Sequence, residues 1–66
     1  MAFGWAYFDE AGRDIGSSED FADRDGAEAW MGQNWEGLLG EGVEEVELID
    51  RERDRRIYRM GLRAET

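Results

Sequence analysis

The chain contains no cysteine, no histidine, no lysine and no proline in its 66 residues. Without cysteine there is neither a disulfide staple nor thiolate chemistry. Without histidine as well, zinc sites of the Cys/His kind are excluded. The loss of histidine, cysteine and lysine together removes the commonest general base and the commonest activated nucleophiles. Carboxylates are plentiful, yet no pair stands apart from an acidic background. The expectation is a protein that is not an enzyme, with no cofactor and no metal. Long apolar runs are missing too. The N-terminus, MAFGWAYFDE, has no basic region and no extended hydrophobic stretch, which argues against a signal peptide or a membrane span. A cytoplasmic location is expected.

What is present is acid, arginine and aromatic surface. Residues 1–50 hold fourteen acids and two arginines, for −12, and residues 51–66 hold six arginines and three acids, for +3; together they give the net −9. Such a field repels nucleic acid and keeps the chain dispersed. Sixty-six residues make one domain (1–66), near the size at which a hydrophobic core alone barely suffices. A small domain without staples must bury large side chains, and eight aromatics are available for that.

The pattern along the chain predicts β(β)αββ, an α+β fold in which an antiparallel sheet of three to four strands carries one helix on one face. FGWAYFD (3–9) alternates like a strand, and DEAGRD (9–14) supplies turn residues, with Gly12 suited to positive φ. A short return strand around Arg13–Ser17 is the weakest element, since its glycine and serines disfavour it. A helix follows at about 24–41, capped by Asp23 or Asp25. Ala27, Trp30, Met31, Asn34, Trp35 and Leu38 fall on one stripe of it. Asn34, on that apolar side, is expected to bond to a strand end or loop. With Gly42 as the left-handed residue, Val43 and Leu38 become the touching pair of a Schellman ending. VEEVELID (43–50) and RRIYRMGL (55–62) read as two strands joined by DRERD. An antiparallel hairpin then sets Glu45, Glu47 and Ile49 beside Ile57 and Arg59 on the face away from the helix.

Three features invite a functional reading. ADRDGAE (22–28) has the DxDG order of a calcium loop, but its first ligand position is Phe21 and its bidentate glutamate position is Gly32, so the pattern fails. The segment RERDRRIYRMGLR (51–63) interleaves basic and aromatic residues as nucleic-acid readers do, although a hairpin charge-paired to an acidic strand accounts for it better. Trp30 and Trp35 stand at the two edges of the helix stripe, where tryptophan walls a core or borders a partner groove. Gly32 and Gly37 each cost a helix about 0.5–1 kcal/mol against alanine, a cost that close approach of the sheet or of a second chain would explain. The candidate partner-binding residues are therefore Trp30, Trp35, Arg55, Arg56, Tyr58 and Arg59.

Taken together, Phe21, Ala27-Glu28, Trp30-x-Gly32-x-x-Trp35-x-x-Leu38-Leu39, Gly42-Val43-x-x-Val46-x-Leu48, and Tyr58 with Met60 and Leu62 resemble a family of small acidic actinobacterial proteins of uncharacterised function. The resemblance spans most of the chain and rests on fold-determining positions. It implies the same fold and transfers no functional residue. The chain departs from it where Arg59, rather than Gly-Pro, follows Tyr58.

The leading expectation is a small non-enzymatic module that binds a protein partner or regulates one. The alternative is a nucleic-acid-associated protein acting through the arginine hairpin, with binding that is weak and salt-sensitive. No membrane contact is expected. The balance between dimer and monomer leans slightly to monomer, with Ile49, Ile57 and Phe8 as the residues a dimer would cover. Trp30 is expected to be core, so that Trp30→Ala unfolds or nearly unfolds the domain.

Overall fold

A computed structural model describes residues 2–62; Arg63, the last basic residue of the arginine segment, lies outside the described residues. The order of elements is β1 (Phe3–Phe8), β2 (Asp14–Ser17), α1 (Arg24–Gly40), β3 (Glu45–Asp50) and β4 (Arg55–Gly61). The strands form one antiparallel sheet in the order β2-β1-β3-β4. β2 and β3 both oppose β1 and so run parallel to each other. Joining them requires a crossover, and α1 supplies it, lying across β1.

The local signals act as their chemistry requires. In the first hairpin the Asp9 carboxylate accepts from the backbone N–H groups of Ala11 and Arg13, both at 2.9 Å. Gly12 takes φ +85°, a conformation that favours glycine. Asp23 caps α1, accepting from the Gly26 N–H at 2.7 Å, and Asp25 lies in the first turn. At the other end the Val43 N–H donates to Leu38 and the Gly42 N–H to Leu39, both at 3.1 Å, while Gly42 takes φ +103°. These are the two bonds of a Schellman ending. Asn34 departs from expectation. Its amide donates to the Trp30 carbonyl one turn back, at 2.8 Å, so it serves the helix and not a strand end.

The core is centred on β1, not on the helix. Trp5, Val46, Leu48 and Ala27 are fully buried, with Met31, Val43, Phe3 and Leu62 around them. The Trp5 indole N–H donates to the Ala27 carbonyl at 2.9 Å. A methyl side chain at that point of contact lets the helix backbone reach the indole. Trp30 and Trp35 are half-buried against this core, and Trp30 leans on Phe21 with ring centroids 5.5 Å apart. They wall the core but do not form its centre.

The opposite face of the sheet carries the expected charge lattice, with the pairs running diagonally. Arg59 bonds to Glu45 at 2.7 Å and Arg56 lies 3.6 Å from Glu47. The Arg59 guanidinium also stacks 4.1 Å above Phe8, and Arg51 reaches Asp20 at 3.5 Å across Gly4. The Arg51 side chain thereby covers Gly4, which is buried, as is Ala6, although no second layer of structure lies there among the described residues. One residue was placed on this face incorrectly by simple alternation. The β3–β4 register skips at Ile57, where Leu48 pairs with Tyr58 and Ile49 with Arg56. The extra residue bulges, and Ile57 packs against the core instead of pointing away from the helix.

Because Trp5 is fully buried and Trp30 only half-buried, the larger loss on truncation belongs to Trp5. Trp5→Ala is expected to cost about 3–5 kcal/mol and abolish cooperative melting. Trp30→Ala is expected to cost roughly half as much and leave a folded protein with a lowered Tm. Thermal melts followed by circular dichroism distinguish the two.

Candidate functional site

Two adjoining depressions lie where α1 faces β4. The first is a groove of about 300 Å³ between the helix residues Glu28, Met31, Gly32 and Trp35 and the sheet residues Trp5, Tyr58 and Met60. The helix residues sit at i, i+3, i+4 and i+7, a stripe turned a little from the core-facing one. Its walls are aromatic rings and thioethers, soft surfaces that adapt to an apolar guest. Met60 stays 38% exposed, one of two large apolar side chains left in water among the described residues.

Gly32 opens the groove. A Cβ built there meets nothing within 4 Å, and the same holds for Gly37. The sheet therefore does not require either glycine. The helix bears a cost of about 0.5–1 kcal/mol at each without a packing reason inside the molecule.

The second depression is a cleft of about 390 Å³ at the start of β4. It is bordered by Arg24, Arg53, Arg55 and Arg56, with Phe3, Asp50 and Ile57. Four arginines border it on a protein of net charge −9, although the Arg56 guanidinium turns to Glu47 on the far face of the sheet. Their commitments differ. Arg24 bonds to Glu28 at 3.0 Å, Arg56 stands 3.6 Å from Glu47, and Arg53 is 3.9 Å from Asp50. Asp50 in turn accepts from the backbone N–H groups of Glu52 and Arg53, which fixes the β3–β4 turn. Arg55 makes no ion pair among the described residues.

A three-residue junction separates the depressions. The Tyr58 hydroxyl donates to Glu28 Oε2 at 2.9 Å, and Arg24 Nε donates to the same oxygen. The Arg24 guanidinium lies 5.3 Å above the Tyr58 ring, and the ring meets Trp5 edge-on at 6.0 Å. Arg24's bond first, and Tyr58's second, hold the Glu28 carboxyl below the usual carboxylate range. Burial pushes the Tyr58 phenol up, and the neighbouring carboxylate pushes the same way.

The six candidate residues thus do not form one site. Trp35 and Tyr58 share the groove, while Arg55 and Arg56 border the cleft. Arg59 turns to the far face of the sheet, and Trp30 pairs with Phe21 away from the groove. The sequence reading missed Glu28, Met31, Gly32 and Met60 as groove residues. Their helical spacing was a usable signal for the first three, but only the register of β4 brings Met60 opposite them. No three side chains that could hold a metal ion converge among the described residues, and no helix there is long and apolar enough to cross a membrane. No family model, curated protein or solved structure matches the chain.

The lowered Glu28 carboxyl has a pH consequence. A depressed folded value adds stability that is complete above the unfolded carboxylate pKa, about 4.3, and lost as pH falls through the folded value. Glu28→Gln is therefore expected to melt below the wild type at pH 7. The difference should shrink as pH falls through the folded Glu28 value. Paired melts from pH 7 to 3 test this; an unchanged gap at low pH means the Glu28 charge contributes nothing.

Proposed function

We propose that the protein is a small non-enzymatic interaction module, acting as a monomer in the cytoplasm. In this reading a segment of a partner protein docks in the groove between α1 and β4. The observation that carries it is the groove itself: rings and thioethers beside an edge strand, opened by a glycine that the fold does not need. Grooves between a helix and a sheet edge take peptides readily, because the edge offers free backbone groups and the groove a pocket for a side chain. Tryptophan, tyrosine and methionine are also the residues favoured at such contacts. The absence of histidine, cysteine and lysine weighs against catalysis.

A second reading is favoured by one observation, the arginine cleft: association with nucleic acid through the β3–β4 hairpin. The net charge of −9 and the acids beside Arg53, Arg56 and Arg59 weaken it.

Capture from the native cytoplasm with wild type and Met60→Glu separates the readings. A protein retained at low and moderate salt by the wild type and lost with Met60→Glu is the expected result. Fluorescence anisotropy with duplex and single-stranded oligonucleotides is expected to show binding weaker than micromolar at about 150 mM salt. Sub-micromolar binding there reverses the ranking of the two readings.

A further inference from the structure

Resting on the groove reading, we infer what occupies it: an extended peptide that joins the sheet along β4 and carries an acidic residue four positions from a large apolar one. β4 is an edge strand, so one of its flanks is unpaired by any strand among the described residues. The two depressions lie in series beside it, the arginine cleft at its start and the apolar groove at its end.

The register of β4 fixes the spacing. On its paired flank, Arg55 stands opposite Asp50 and Met60 opposite Val46. β3 thus meets the two ends of β4 with an acidic and an apolar residue four positions apart, both turned to the helix side. The Ile57 bulge is absorbed by β4, so a regular strand faces it without a skip. A ligand strand on the free flank meets the same two ends. Four strand residues span about 13 Å, and residues four apart share a face.

Charge selects the acidic residue. Asp50 is committed to backbone N–H groups of its own turn, and Arg55 has no ion pair among the described residues. Arg53 holds its acid only at 3.9 Å. A carboxylate arriving beside Arg55 meets a guanidinium that has no ion pair among the described residues, in a cleft also bordered by Arg24 and Arg53. At the other end the apolar side chain enters between Trp35, Met31 and Met60, over Gly32.

The test uses nitrogen-15-labelled protein and three synthetic octapeptides. The first places aspartate and leucine four apart, with serine and threonine elsewhere; the second replaces aspartate by lysine; the third places aspartate and leucine three apart. The first is expected to bind about tenfold more tightly than either control, the margin given by a few favourable cross-strand contacts. Its binding should slow amide exchange in β4 and shift resonances of the α1 stripe. Arg55→Glu, and more mildly Arg55→Gln, should erase the preference for aspartate over lysine without lowering the Tm. Equal affinity for the aspartate and lysine peptides overturns the acidic occupant while leaving the groove reading standing. No peptide binding, beside a captured partner that Met60→Glu releases, overturns strand addition alone. Failure of both removes the groove reading as well. A dimer that Met60→Glu dissociates makes a second copy the occupant and overturns the peptide.

Discussion

The hydrogen bond from the Trp5 indole to the Ala27 carbonyl is the contact on which the rest of the molecule is arranged. It joins the middle of β1 to the first turns of α1, across a point where neither residue exposes any surface. A wholly buried N–H without a partner carries a penalty of about 1–3 kcal/mol, so the bond also fixes the helix's depth and lateral position. With α1 anchored over β1, its far side stands over β4 at a distance set by Tyr58, Glu28 and Arg24. The groove and the cleft are what remains on either side of that junction.

The two faces of the sheet solve different problems with the same residue types. On the far face, arginine and glutamate form a lattice over a sheet that no second layer covers among the described residues, and there the charges are structural. On the helix side, near the start of β4, arginines outnumber the acids able to meet them. The same C-terminal segment therefore supplies both the covering of the far face, through Arg56 and Arg59, and the border of the cleft at the start of β4, through Arg53 and Arg55.

The fold was largely legible because its signals are local. Asp23, Gly12 and the Leu38–Gly42–Val43 ending each act within a few residues, and each formed as its chemistry demands. The strand alternation of Val46 and Leu48 likewise needs only its own segment. What sequence did not disclose depends on pairing at long range. Trp5 was one aromatic among several in β1, and its place at the centre follows from α1 crossing that strand. Ile57 left its expected face because one residue is skipped in a ladder that alternation cannot foresee. The groove suffered the same fate: half of it was written in the helix, at Glu28, Met31, Gly32 and Trp35, and the other half depends on which residues of β4 arrive opposite.

The most direct test of this arrangement is hydrogen exchange at the three indole N–H groups, resolved by nuclear magnetic resonance. The Trp5 N–H is buried and bonded, whereas those of Trp30 and Trp35 make no hydrogen bond among the described residues and sit on half-buried rings. The account predicts that the Trp5 proton exchanges only through global unfolding, with the slowest backbone amides of β1 and β3, while the other two exchange from the native state. A Trp5 indole that exchanges as fast as that of Trp35 contradicts it, because α1 would then not be anchored over β1 and the groove beside β4 would have no fixed wall.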